Sequence, residues 1–355
     1  MGNRFHKLPP ELQLKVVADS EPKEQLSVLR LSPHFGALFG PKEFASTDDK
    51  GRTVVHLIAE GGFPRSHVLM RYLNLSRSLV VRARDKDQRT PLMYALKHEN
   101  WLVFNMLLEK DPAGISLFDA DGNTALHLAV QERSAKAAVL LLAQDSIDVN
   151  HQNHLGRTAL YESVCRNDHG MADMLLKNSQ IDVDIRETQF GRPPLVEAAD
   201  RGLERLVRMI LDHETVDVNA IDSNGCTALT KAIYYDHYEI RDLLLADPAI
   251  DVNYPTGRWD SPLLTATTQH RWDSMRVLFT HADLDIDATD INNWTTLMWA
   301  AQENNNDAIR LLRERGARAD IVGSNGEIAL SLLTEAHNKD FLEMVDLLRP
   351  ELLQN

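Results

Sequence analysis

The 355-residue sequence predicts an all-α solenoid of about nine stacked helix-pair repeats, preceded by a small N-terminal three-helix module. Three observations predict it. One nine-residue phrase returns at a nearly constant spacing of 34 residues, a second apolar cluster follows each return by about half a period, and the first 47 residues obey neither pattern.

Composition agrees with a folded array. Hydrophobic residues make up 43% and charged residues 25%, with only 17 Gly and 14 Pro, so the chain has the apolar material for a core. The 52 Asp and Glu outweigh the 38 Lys and Arg, and the net charge of -14 repels polyphosphates. Nucleic acid and anionic membrane surfaces are therefore not expected as partners. Two cysteines, Cys165 and Cys226, are too few for a disulfide framework and suit a reducing compartment. The opening MGNRFHKLPP has no apolar signal core, and no aliphatic run approaches a bilayer span. A soluble protein of the cytoplasm, the nucleus or both is expected. His6 stands where an N-myristoylation pattern wants Ser or Thr.

Residues 1-47 form the first module. Pro9 and Pro10 open a short helix with Leu12, Val16 and Val17 on one side, and Pro22 opens a second carrying Leu26, Leu29 and Leu31. His34-Phe35-Gly36-Ala37-Leu38 completes a unit of roughly 40 residues, a size that is marginal without a partner or the solenoid behind it. The run Leu8-Pro9-Pro10-Glu11-Leu12, then Pro22-Lys23, then Leu29-Arg30-Leu31-Ser32 and Phe35, resembles the F-box family. Members of that family dock onto a Skp-type adaptor of cullin-based ubiquitin ligases. The resemblance implies that Leu8, Pro9, Leu12, Val16, Leu26, Leu29, Leu31 and Phe35 form the docking set, with Ser20 departing from the usual Leu. A helical unit here would also cap the open end of a solenoid.

The array occupies 48-349, with repeats at about 49-84, 85-118, 119-152, 153-187, 188-221, 222-255, 256-289, 290-322 and 323-349, and a tail at 350-355. Its clearest phrase, Gly122-Asn-Thr-Ala-Leu-His-Leu-Ala-Val130, returns from Gly51, Gly156, Gly191 and Gly225, and in more diverged form from Gln88, Trp259, Asn293 and Gly326. The glycine suits a turn of positive φ, Thr124, Thr158, Thr227 and Ser261 can cap a helix, and Pro91, Pro194 and Pro262 fit its first position. Leu107-Leu108, Leu141-Leu142, Leu175-Leu176, Ile210-Leu211, Leu244-Leu245, Leu278-Phe279 and Leu311-Leu312 mark a second helix. A polar link such as Ile147-Asp148-Val149-Asn150 closes each repeat. One such pair cannot bury its own apolar face, so neighbours must stack.

Thr124-Ala-Leu-His-Leu-Ala129 resembles the T-P-L-H-x-A signature of the ankyrin-repeat family, whose unit is a turn followed by two helices. The likeness covers about residues 48-349. Gln88, Trp259 and Asn293 replace the turn glycine, and Pro193 and Ile328 replace the capping hydroxyl. Asn tolerates positive φ whereas Trp259 does not, so the loop at 254-261 is expected to be reshaped.

No phosphate-binding Gly-rich loop, Walker lysine, nucleophile elbow or zincin helix occurs, and no catalytic residue, metal ligand or cofactor is assigned. His151 and His154 beside Asp148 read as solvated loop residues, and His56 and His127, three residues after the capping Thr, as structural histidines.

The ankyrin likeness implies a concave groove lined by the residue before the signature Ala and by residues one helical turn further on. Its candidates are Tyr94, Glu162, Arg166, Glu197, Arg201, Lys231, Tyr234, Tyr235 and Trp299, with Trp259 and Trp294 at the turn tips. The middle is charged and the C-terminal part aromatic, the composition of a binding hot spot. The leading reading is a non-catalytic adaptor: residues 1-47 dock a Skp-type adaptor and the groove holds a protein target for ubiquitin transfer. Two rivals stand beside it. One is a plain scaffold or inhibitor with a helical cap, and the other an enzyme or small-ligand binder using Glu162, Arg166, Glu197, Arg201 and Lys231. Residues 1-48 carry six Lys/Arg and six Asp/Glu, so the whole -14 lies beyond residue 48, nearly all of it in the repeats, and a neutral or basic protein surface is the expected partner.

Overall fold

The computed structural model describes residues 20–31, 46–61, 81–254, 261–335 and 338–349. Among them every regular element is helical, and the chain divides into two compact units, Met1–Ile181 and Asp182–Asn355.

The first unit runs α1 (Pro22–Leu31), α2 (Val54–Glu60), α3 (Pro91–Lys97), α4 (Trp101–Lys110), α5 (Ala125–Gln131), α6 (Ala135–Leu142), α7 (Ala159–Cys165) and α8 (His169–Leu176). Helix α1 packs on α2, and α2, α3, α5 and α7 stack in succession, each packed on its own second helix where that helix is described. The second unit repeats the scheme with α9 (Pro194–Asp200), α10 (Glu204–Leu211), α11 (Ala228–Tyr234), α12 (Tyr238–Leu245), α13 (Pro262–Thr268), α14 (Trp272–Leu278), α15 (Thr296–Gln302), α16 (Asn306–Glu314), α17 (Ala329–Leu332) and α18 (Phe341–Leu348). Here α9, α11, α13, α15 and α17 form the inner stack.

The first helix of each pair is short because both ends are fixed by local chemistry. Thr90, Thr158, Thr227, Ser261 and Thr295 each accept the backbone N–H three residues on, at 3.1–3.4 Å. Pro193 supplies no such oxygen, and α17, which follows Ile328, is only four residues long. At the other end the chain turns through a left-handed residue nine positions after the cap: Glu99, Arg133, Asn167, Gly202, Asp236, His270 and Asn304 all have φ between 51° and 68°. Only one of the seven is glycine, so this second turn left no glycine signature to read.

The turn before each cap behaves as the glycines implied. At Gly122, with φ +81°, a Cβ would lie 2.7 Å from the His154 backbone nitrogen. Gln88 and Asn293 take the same turn at φ 60° and 59°. Trp259 lies outside the described residues. The predicted second clusters are core: Leu107, Leu141, Leu175, Ile210, Leu244, Leu278 and Leu312 are all buried.

Two polar devices recur along the repeats, one within each turn and one between neighbours. Asp48, Asp119, Asn153, Asp222 and Asp290 begin the turns, and one oxygen of each accepts the N–H groups two and four residues on at 2.8–3.1 Å. In the closing link, Asn150, Asn219 and Asn253 reach into the next repeat and donate to the carbonyls of Gln180, Ala249 and Asp283 at 2.6–2.8 Å.

Candidate protein-binding surface

The residue four after each cap, assigned to the groove, is mostly not a surface position. Glu162 and Glu197 are 7% and 8% exposed, and both are ion-paired. In the first unit Glu162 meets Arg166 at 3.0 Å and Arg157 at 3.7 Å. In the second, Arg192 reaches Glu197 at 3.0 Å and Asp200 at 3.1 Å, Arg201 lies 3.9 Å from Glu197, and Lys231 lies 3.1 Å from Asp222 and 3.5 Å from Asp200. Burial opposes the charge on Lys231, but Cys226 and Asp222 outweigh it and hold its pKa above the ordinary lysine value. Each of the five acid–base groups singled out from the sequence therefore has an opposite charge beside it.

Three members of this network went unnoticed in the sequence: Arg157, Arg192 and Asp222. Their signal was present. Both arginines follow a turn glycine and stand five residues before the glutamate they bind, and Asp222 occupies the turn-starting position, where its side chain is fully buried.

Tyr94 is also held within the first unit. Its hydroxyl donates to Asp85 at 2.7 Å, and burial followed by that bond raises its pKa well above the ordinary value. The two buried histidines are structural. Thr53 and Thr124 donate their backbone N–H to the Nδ1 atoms of His56 and His127, which leaves each Nε2–H to donate to Arg89 O at 3.0 Å or Arg157 O at 2.9 Å. Each thereby stitches its helix to the following repeat. His151 lies 3.2 Å from Gly122 O, and among the described residues no three His, Cys, Asp or Glu side chains gather as a metal site.

The open surface begins one helical turn further on. Lys97, His98, Glu132, Arg201, Tyr234, Tyr235, Gln302 and Glu303 are exposed, and Arg166 is half-buried. Tyr234 and Tyr235 are each 47% exposed and meet edge to face at 4.9 Å, with Tyr235 stacked on His237. Trp294 and Trp299 form a second aromatic pair at 5.1 Å. The strip foreseen from the sequence is thus two separate pairs, two repeats apart, with no ring contact between them among the described residues.

Of the N-terminal docking set, Leu8, Pro9, Leu12, Val16 and Phe35 lie outside the described residues, as does the side chain of Leu31. Leu26 and Leu29 are 5% and 0% exposed on α1, which packs on α2.

A family model for ankyrin repeats in three copies matches residues 111–187 and 181–256, and a single-repeat model matches 292–324. The chain belongs to the ankyrin-repeat family. Its ankyrin repeats make it a protein-interaction scaffold. Among solved structures it is similar to the ankyrin repeat domain of Bcl-3, described as a unique member of the IkappaB protein family, at 21% identity and a TM-score of 0.56 over 64% of this chain and 99% of that one. That likeness concerns the fold. The human ASB11 ankyrin repeat domain aligns at 24% identity and a TM-score of 0.49, over 62% of this chain and 98% of that one. Among curated proteins, the potassium channel AKT2/3 of Arabidopsis thaliana is 33% identical over 144 residues, which are 41% of this chain and 17% of the channel. The match thus spans about a sixth of the channel's length. No described helix is long and apolar enough to cross a membrane.

Proposed function

We propose that this ankyrin-repeat scaffold is the substrate-recognition subunit of a cullin-type ubiquitin ligase, acting in the cytoplasm or nucleus. Its repeat surface holds the target, and residues 1-47 dock a Skp-type adaptor. The observation that carries the reading is the pairing of an F-box-like segment outside the repeat register with an open aromatic surface, the exposed Tyr234 and Tyr235. Tethering target and ligase to one chain raises their effective concentration, so the chain needs no chemistry of its own. The test is direct binding of the purified chain to a purified Skp-type adaptor. Leu8→Asp with Phe35→Ala is expected to abolish binding with helical content unchanged, and retention by the double variant would overturn the reading.

One observation favours a second reading, a plain scaffold. Leu26 and Leu29 are buried in α1 where it packs on α2, as a terminal cap would be. That reading expects no adaptor binding by the unmodified chain.

A further inference from the structure

The outer helices α14 and α16 of the second unit are joined at both ends and leave a cleft between. At one end Asn305, which caps α16, donates Nδ2 to Thr267 O at 3.4 Å and lies 3.2 Å from His270 Nδ1. At the other, Arg315 donates to Phe279 O at 3.3 Å with its guanidinium over the Phe279 ring. The cleft between these ties has a volume of about 350 Å³ and is lined by Trp272 and Arg276 from α14 and by Asp307, Arg310, Leu311 and Glu314 from α16. Ligand pockets run from about 300 to 1,000 Å³, so this one has room for a single long side chain.

The apolar part of the lining is Trp272 and Leu311, both half-buried, and His270 meets the Trp272 ring edge to face at 5.6 Å. The charged part is unevenly engaged. Arg310 donates to Asp340 at 2.8 Å, to both oxygens of Glu343 at 2.9 Å and to Asp307 at 3.4 Å. Arg276, an exposed side chain, lies 3.6 Å from Asp273. Glu314 is exposed and pairs with no cation among the described residues, and Asp307, also exposed, gives one oxygen to the long contact with Arg310. Five carboxylates, those of Asp273, Asp307, Glu314, Asp340 and Glu343, thus stand around the cleft against the three arginines 276, 310 and 315. An incoming carboxylate would meet that excess, whereas a guanidinium can lie on an indole and fork onto a carboxylate at once. We propose that the α14–α16 cleft takes an arginine side chain of a protein partner, with Trp272 and Glu314 as its contacts. The site shares no residue with the Tyr234–Tyr235 surface and is independent of the ligase reading.

The test uses the full chain and two small probes, Nα-acetyl-arginine methylamide and its uncharged citrulline counterpart, with the nitrogen-15 indole signals followed by NMR. The arginine probe is expected to shift the Trp272 signal saturably and to bind about tenfold more tightly than citrulline. Its binding should weaken as salt rises from about 0.05 to 0.3 M. Glu314→Gln, an exposed exchange between two good helix formers, should weaken it several-fold. Arg276→Gln, which removes the exposed cation of the lining, should tighten it. No shift at Trp272, equal binding of citrulline, or binding that Glu314→Gln leaves unchanged overturns the proposal. Weaker binding in Arg276→Gln overturns it too, because that result marks a site for anions.

Discussion

Asp184→Asn should stabilise the second unit. In the closing link, Asn219 and Asn253 each make two bonds into the next repeat: Nδ2 donates to Ala249 O or Asp283 O, and Oδ1 accepts the N–H of Asp251 or Asp285. Asp184 holds the same place but can only accept, and it does so from Asp217 N at 2.9 Å. Its other oxygen is buried without a hydrogen-bond partner. Burial first, then the neighbouring charges of Asp217 and Asp182, raise its pKa above the ordinary aspartate value, so folding disfavours its ionised form. An Asn here regains the donor, directed at the carbonyl of Thr215, and carries no charge. One such bond contributes about 1 kcal/mol net, equivalent to about 2–4 °C in Tm for a unit of this size.

The sign of the pH dependence follows. Because the folded pKa is raised, the wild-type penalty is absent below the ordinary aspartate value and complete once pH has passed the folded value. The advantage of Asn should therefore be small at about pH 4 and full at about pH 7. Calorimetric or circular-dichroism melts at the two pH values measure it. A variant no more stable than wild type at neutral pH, or a gain that does not change with pH, would refute the reasoning.

Three further outcomes are expected. Burial lowers the pKa values of His56 and His127, so their stabilisation is complete above about pH 6.5 and is lost as pH falls through the depressed values; His127→Gln, which keeps an acceptor for the Thr124 N–H, should flatten part of that slope in Tm against pH. Glu99, at φ 53°, occupies the left-handed position that Gly202 fills elsewhere, so Glu99→Gly should stabilise by about 0.5–1 kcal/mol in urea titration. Leu29→Ala should cost about 2–5 kcal/mol if α1 is integral to the first unit, and an unchanged urea midpoint would show that it is not.

Much of the fold was legible because a repeat displays its rules many times. The capping Thr, the turn glycine and the second Leu cluster are local devices, and each appears in the structure where the sequence placed it. What register alone missed was the pairing of each turn with the helix that follows it. The residue four after the cap looks like a groove position by register, yet at Glu162 and Glu197 it is buried by arginines from the preceding turn. Register gives direction from the helix axis, whereas burial depends on what the adjoining loop lays over that direction. The left-handed turn after each first helix was hidden for another reason: Glu99, Arg133 and Asp236 accept a conformation that composition assigns to glycine.

The acidic balance also changes meaning. A net charge of -14 suggests a surface of carboxylates ready to pair with lysine and arginine. Yet Asp48, Asp119, Asp222 and Asp290 use an oxygen to hold turns, and Glu162, Glu197 and Asp200 are occupied by the chain's own cations. Their charge still contributes to a long-range negative field. Their hydrogen-bonding capacity is largely engaged at home, so close contact falls to the side chains that remain open. In the second unit those include Tyr234 and Tyr235. Exposed tyrosine rings are the kind of side chain enriched at the centre of protein interfaces.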